Sequence, residues 1–188
     1  MLPRTQLIRI QRSLYDRLRS QAKGLYGGMP EGLKKYYTEY QKDFIRFKGF
    51  ATKSQLLADL NGAQIAFCGD YHTLGQAQKT ALRLLREVEK PVVLALEMLR
   101  TEDDAAVAKY LEGGLSEREF LKRISFKKNW GFHWEGYRQL FQFARERKFK
   151  VVGLTPGSQA SLEFRDRFAA QKLCKITLED PDRLVFEL

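Results

Sequence analysis

Residues 63–72 read AQIAFCGDYH and residues 92–97 read VVLALE, and these two stretches decide the fold. Each contains an apolar run, 63–68 and 92–96, that is too short for a helix, which predicts a buried strand. Apolar residues at helical spacing fill residues 74–89 between them, and Pro91 ends that helix. A strand, a helix and a second strand form a βαβ unit, in which we expect the two strands to pair in parallel through a right-handed crossover.

The pattern continues along the chain. Ser116 and Glu119 have the spacing of a capping box at the start of a helix. The remaining predicted elements are helices at residues 52–60, 103–111, 134–147 and 158–173, an irregular aromatic segment at 127–133, and strands at 149–154 and 184–188. We therefore expect an α/β domain over residues 51–188, with a mainly parallel sheet flanked by helices.

The first fifty residues differ from the rest in charge and periodicity. They carry eleven of the Lys and Arg residues against four Asp and Glu, so most of the net charge of +10 lies there. The spacing of apolar residues predicts helices over 4–23 and 30–47, which we interpret as a basic N-terminal helical arm, residues 1–50. Such a segment can attract phosphate or an anionic surface, or can be a solvated helix face.

Composition excludes several classes of protein. No apolar run reaches the length of a membrane span, and the first residues lack the pattern of a secretory signal. The two cysteines, Cys68 and Cys174, lack CxxC spacing and are expected to be buried reduced thiols. We therefore expect a cytoplasmic protein with no membrane span. Nucleic acid is not an expected partner, because no zinc-ligand pair or RNA-binding aromatic strand is present.

Polar residues follow the predicted strands where α/β folds place their sites. Asp70 and His72 lie on the turn after the first strand, and Glu97 ends the second. Two carboxylates and an imidazole at one sheet edge could bind a divalent metal or act in acid–base catalysis. Alternatively, Asp70 caps the next helix, His72 is a turn residue and Glu97 pairs with a surface lysine.

A second candidate lies in the aromatic segment around His133, the only other histidine. His133, Trp134 and Tyr137 could cradle a flat ligand such as a porphyrin, with His or Tyr as iron ligand. The alternative is an aromatic corner of the core with His133 at its rim. Phosphate-binding glycine loops and the GxSxG elbow are absent.

Residues 68–74, CGDYHTL, followed by a helix and by residues 94–98, LALEM, resemble the ChaN-like haem-binding proteins of the superfamily that includes Tiki proteases, TraB proteins and erythromycin esterases. Residues 130–144 and 150–154 are similar to later parts of that family, so the resemblance covers roughly residues 50–188.

The resemblance implies that Asp70, His72 and Glu97 are the polar members of a site near Tyr71 and the Trp134/Tyr137 region. The family also typically has a second Gly-x-x-His motif after a later strand. The sequence ends at Leu188, about where that motif is expected to begin. We therefore expect a form that lacks the C-terminal part of the family domain.

Our hypothesis is a ChaN-like protein that binds haem or a divalent metal at the carboxyl edge of the sheet. Tyr71, His72 or His133 would supply the iron ligand. One alternative is a metal-dependent ester or amide hydrolase that uses Asp70, His72 and Glu97. Another is a non-catalytic interaction module with a basic helical arm. The expected partner is haem or another small molecule, and a homodimer is compatible with this hypothesis.

Overall fold

The computed structural model describes residues 4–26, 38, 42, 51–70, 72, 75–157 and 161–188. The chain divides into two compact units, Met1–Phe50 and Ala51–Leu188, which are described separately. Within the described residues, no helix combines the length and apolarity that crossing a bilayer requires.

The first unit contains helix α1, Arg4–Tyr26, which confirms the first predicted helix and extends it by three residues. Every α1 side chain that the structure describes is exposed, including Ile10 and Leu14 of the predicted apolar stripe. The second predicted helix, 30–47, lies outside the described residues except for Thr38 and Lys42, which are helical.

The second unit is built on a four-stranded sheet whose pairings are all parallel, which confirms the predicted fold class. The strands are β1, Ile65–Phe67; β2, Val92–Arg100; β3, Lys150–Thr155; and β4, Leu184–Glu187. Their spatial order is β1-β4-β2-β3.

The expected direct pairing of β1 with β2 is wrong, because β4 lies between them. Val185 of β4 pairs with Ile65 on one side and with Val93 on the other. The physical reason is burial: Leu184, Val185 and Phe186 are at most 1% exposed, so β4 needs a neighbour on each edge. In contrast, β1 is an edge strand.

Helices surround the sheet and connect its strands. Their bounds are α2, Lys53–Gly62; α3, Gly75–Glu87; α4, Asp104–Leu111; α5, Glu117–Arg123; α6, Phe126–Asn129; α7, Glu135–Glu146; and α8, Leu162–Glu179, with a 3₁₀ turn at Thr101–Asp103. The segment expected to be irregular thus contains the short helix α6, and α8 extends beyond the predicted end.

Capping explains where two of these helices begin. Thr52 accepts a hydrogen bond from the Gln55 backbone while the Gln55 side chain accepts one from the Thr52 backbone. Ser116 and Glu119 form the same reciprocal pair at the start of α5, which confirms the predicted capping box. These pairs satisfy amide groups that have no partner within a helix.

Both faces of the sheet are covered, which explains the continuous apolar strands. Leu94 and Leu96 face the larger core, which includes Leu85 of α3 and Phe141 of α7. Alternate residues of β2 face a smaller core beneath α8, which consists of Val93, Ala95, Val152, Leu154, Leu173, Ile176 and Val185. Residue parity within a strand therefore decides which face a side chain reaches.

The two cysteines are free, and their burial differs from the expectation. Cys68 is half-buried after β1, whereas Cys174 is exposed because it lies on the outward side of α8, away from the inward Leu173 and Ile176.

Candidate functional site at the carboxyl edge of the sheet

The carboxyl ends of the parallel strands place several polar residues along one edge. Asp70 follows β1, Thr155 ends β3 and Glu187 ends β4. Glu97 differs from the prediction: β2 does not end there but continues to Arg100, with a shift of register between Leu96 and Arg100. Because of this irregularity, β2 continues beyond Glu97, which still lies at the carboxyl edge of the sheet.

Asp70 is the centre of a hydrogen-bond network. Its side chain is only 3% exposed. Tyr137 donates its hydroxyl to Oδ2 at 2.6 Å, Gln78 donates Nε2 to Oδ1 at 2.5 Å, and His72 Nδ1 lies 3.0 Å from Oδ2. A buried carboxylate requires such donors, so these contacts hold Asp70 in place.

The donors come from two neighbouring helices. Gln78 lies on the buried face of α3, and Tyr137 lies on the buried face of α7. Gly136 makes room for the amide, since a Cβ atom there would lie 3.1 Å from Gln78 Oε1. Burial raises the pKa of Tyr137, and its hydrogen bond to Asp70 raises it further. Tyr137 therefore acts as a neutral donor.

His72 joins this network to an aromatic wall. Its ring centroid lies 4.4 Å from that of Trp130 and 5.0 Å from that of Phe132. Asp70 occupies Nδ1, and among the described residues Nε2 has no hydrogen-bond partner. A carboxylate bound to one ring nitrogen fixes the tautomer and leaves the other nitrogen available as a ligand or a base.

Glu97 lies on the α8 side of the sheet. Its carboxylate is 4.0 Å from Arg165 Nη2 and remains 43% exposed. Thr155 donates its hydroxyl to the Glu97 carbonyl at 2.6 Å, which ties the ends of β2 and β3 together. The alternative expectation of an ion pair with a lysine is thus replaced by one with an arginine.

Glu187 is half-buried and lies on the same face as Glu97, since its Cα pairs with Ala95 two residues earlier on β2. Burial raises the pKa of Glu187 to about 7, and the charge of Glu97 adds to the rise. Burial also raises the pKa of the Cys68 thiol, with Asp70 and Glu187 contributing. Cys68 is therefore not an activated thiolate.

A cleft of about 740 Å³ opens at this edge. Its walls combine the imidazole of His72, the aromatic rings of Trp130 and Phe132, and the carboxylate of Glu97. Three cationic side chains also line it, those of Arg100, Lys128 and Arg165. The volume falls in the range of small-molecule sites, and the lining suits a flat ligand that carries negative charge.

The other predicted site residues have different positions. Trp134 is 6% exposed and packs in the core against Phe126 and Phe141. His133 is exposed and does not line the cleft. Tyr71 lies outside the described residues.

Among the residues that the structure describes, no three His, Cys, Asp or Glu side chains are grouped closely enough to hold a metal ion. Asp70 and His72 are in contact, whereas Glu97 lines the cleft on the α8 side. The geometry thus separates the predicted ligand set into a hydrogen-bonded pair and a more distant carboxylate.

Sequence reasoning missed Gln78 and Glu187. Gln78 is a polar residue at helical spacing with the buried Ala81, Leu82 and Leu85, and a polar side chain on an apolar helix face is a detectable signal. Glu187 ends the apolar run of β4, as Glu97 follows the apolar run of β2, and the same rule would have found it.

Comparisons with known proteins agree with this fold. Among solved structures, ChaN of Campylobacter jejuni, described as binding haem cofacially, aligns over 73% of this chain and 74% of its own, with 11% identity and a TM-score of 0.53. An effector domain of a Vibrio vulnificus MARTX toxin aligns over 74% of this chain and 30% of its own, with 18% identity and a TM-score of 0.51. No curated protein sequence matches this chain significantly.

A protein-family model matches residues 56–167, the span that contains Asp70, His72, Glu97 and the aromatic wall of the cleft. That model describes haem-binding uptake proteins of the ChaN type in the Tiki superfamily, and it covers more than half of the chain. This chain therefore belongs to the ChaN family of haem-binding uptake proteins.

Proposed function

We propose that this protein binds haem in the cleft at the carboxyl edge of the sheet, with His72 Nε2 as the iron ligand. The observation that carries the proposal is the contact between His72 Nδ1 and the buried carboxylate of Asp70 at 3.0 Å. Histidines that ligate metals usually donate their second ring nitrogen to a carboxylate or carbonyl, which orients the ring and increases its basicity. Asp70 is itself held by Tyr137 and Gln78.

The walls of the cleft support a flat, anionic ligand. Trp130 packs edge-on to Phe132 and to His72, while Phe132 is tilted against His72, and such rings can contact the face or rim of a porphyrin. Lys128 is exposed, and Arg165 has only the distant Glu97 as an ion-pair partner among the described residues. These two cations are placed to receive carboxylate groups of the ligand.

The same geometry argues against Tyr137 as the iron ligand. A tyrosine ligates iron as a phenolate, whereas burial and the adjacent Asp70 raise the pKa of Tyr137. Its hydroxyl is already committed to Asp70 at 2.6 Å. We therefore assign Tyr137 as a residue that positions the Asp70–His72 pair.

The test is a titration of the full chain with haemin, followed at the Soret band. His72→Ala should weaken binding by at least about 10-fold and shift the band, since it removes the proposed ligand. His133→Ala is the matched control and should leave both unchanged. Unchanged affinity and spectrum in His72→Ala would refute the assignment, and the titration of wild-type protein also gives the number of haems per chain.

A second candidate, hydrolysis of an ester or amide, is favoured by the same Asp70–His72 contact. A carboxylate that orients an imidazole is the arrangement of a general base, and His72 Nε2 would take a proton from water at the mouth of the cleft. The protonated His72 would then return that proton to the leaving group, and Glu97 lines the same cleft.

Hydrolysis of nitrophenyl esters by wild-type protein tests this alternative. His72→Ala and Asp70→Asn should both reduce the rate by about 100-fold or more if His72 is the base. An equal rate in wild type and both variants would mean that the cleft does not hydrolyse these esters.

A further inference from the structure

Helix α1 presents large apolar side chains that are exposed. Ile8, Ile10, Leu14 and Tyr15 are between 43% and 58% exposed. At about 100° per residue, they fall on one side of the helix, together with the sequence positions of Leu7 and Leu18. An exposed, mainly apolar helix face marks an interaction site.

The same helix is strongly basic. Residues 4–26 contain six Lys and Arg residues and one acidic residue, Asp16. Arg12 and Arg17 flank the apolar face, one on each side, and both are exposed. On a helical projection Asp16 lies on the opposite side, so the borders of the apolar face carry positive charge.

We propose that α1 binds flat on an anionic lipid surface. Its apolar side chains would enter the boundary between headgroups and acyl chains, and the flanking arginines would contact lipid phosphates. Binding is interfacial, because within the described part of the chain no helix can span a bilayer.

Charge and apolarity together select this partner over two others. A nucleic acid would neutralise the arginines but leave Ile10 and Leu14 in water. A second copy of α1 would cover the apolar face but bring two strongly basic helices together, which is unfavourable. An anionic membrane surface satisfies both features, with roughly 1 kcal/mol for each Lys or Arg near it.

The experiment is co-sedimentation of the full chain with vesicles of phosphatidylcholine, with or without about 30% phosphatidylserine. Binding should require the anionic lipid and should weaken by about 10-fold or more when salt rises from about 0.1 M to 0.5 M. Equal binding to both kinds of vesicle, or binding to neither, would overturn the proposal.

Two double variants separate lipid binding from simple charge attraction. Ile10→Ser with Leu14→Ser, and Arg12→Gln with Arg17→Gln, should each reduce the bound fraction by about 5-fold. Arg118→Gln with Lys122→Gln removes the same charge from exposed positions on α5 and should change binding by less than about 2-fold. If the serine variant binds vesicles like wild type, the apolar face has no role and the vesicles are bound by charge attraction alone. If wild-type protein does not bind vesicles but forms a dimer, and the serine substitutions dissociate that dimer, a second copy is the partner. Either result would refute the lipid proposal.

Discussion

Asp70 determines how the side chains of the candidate site are arranged. A carboxylate that is 3% exposed would be costly without donors, and its three contacts with described residues come from α3, α7 and its own turn. Gln78 and Tyr137 therefore have the same role, which is to donate hydrogen bonds to Asp70. The orientation of His72, and thus the direction of its free nitrogen, depends on all of them.

Replacing Tyr137 by Phe should destabilise the protein by about 1–3 kcal/mol, because Asp70 loses a donor while remaining buried. Urea denaturation measures the change. Tyr110→Phe is the matched control, since Tyr110 is also buried and its hydroxyl donates no hydrogen bond to a described residue. Equal stability losses in the two variants would show that the contact with Asp70 has no special weight.

Glu187 should make stability depend on pH. Its pKa rises from its ordinary value of 4.5 to about 7 in the folded state, so folding favours the protonated form. Its contribution to stability is fully present below pH 4.5 and is lost as the pH rises through about 7. We therefore expect Glu187→Gln to raise the free energy of unfolding relative to wild type as the pH rises. This difference between variant and wild type should be about 2 kcal/mol larger at pH 8 than at pH 4.5.

Thermal unfolding at pH 4.5, 6 and 8 measures this effect. Glu89→Gln, at an exposed position, should show no such trend. A difference between Glu187→Gln and wild type that does not vary with pH would contradict the raised pKa.

At the residue scale, the sequence predicted polar residues at the ends of apolar runs. Asp70, His72 and Glu97 were predicted because an apolar run ends at a polar residue. Tyr137 was predicted near the site through the family resemblance, but its contact with Asp70 joins residues 67 apart in sequence. Local patterns cannot give such a partner, because tertiary packing sets it.

At the scale of elements, the close approach of β2 and β3 depends on Gly153. A Cβ atom there would lie 2.4 Å from the Arg100 carbonyl oxygen and 2.6 Å from that of Leu99. Both obstacles are backbone atoms of β2 in its irregular final part, so they cannot move aside easily. Beyond this point Thr155 binds the Glu97 carbonyl.

Gly153→Ala should destabilise the protein by about 3 kcal/mol or more through this clash. Gly62→Ala provides the matched control, because a Cβ atom at Gly62 meets nothing within 4 Å and the residue is helical. That control should be neutral or stabilising by up to about 1 kcal/mol. Chemical denaturation of both variants measures the change in the free energy of unfolding. A loss in Gly153→Ala as small as in the control would mean that β2 and β3 can separate locally.

Helix and strand positions were predictable, whereas some ends were not. The capping box at Ser116 defined one helix start from sequence alone. The end of β2 was missed because Glu97, a polar residue, appeared to close an apolar run, while the strand continues through the buried Met98 and Leu99. A shift of register between strands produces no repeating pattern of apolar residues, so it cannot be predicted from the sequence.

At the scale of the whole molecule, the position of β4 was not predictable from local pattern. Leu184, Val185 and Phe186 indicate a buried strand, but the choice of neighbours depends on contacts across the chain. The sheet is continuous only when β4 joins β1 to β2. Its amides donate across both gaps, from Val185 to Gln64 and from Leu188 to Ala95.

Hydrogen exchange in lipid-free buffer should reveal this arrangement. The amides of Val185 and Leu188 should exchange at least about 1000-fold more slowly than those in the middle of α1. The reason is that β4 is buried between strands, whereas the described side chains of α1 are exposed. Similar protection of the two elements would mean that β4 opens without global unfolding.

The strand that joins the sheet is also the last of the four to be synthesised. Ile65 can pair with Val185 only after about 120 more residues have been synthesised. At a typical rate of synthesis that interval is about 6–24 s. Late in that interval β2 and β3 become available to pair, while the edges that β4 will fill stay open. We therefore expect the growing polypeptide to depend on chaperones at the ribosome, and slower translation to lengthen its exposure to aggregation.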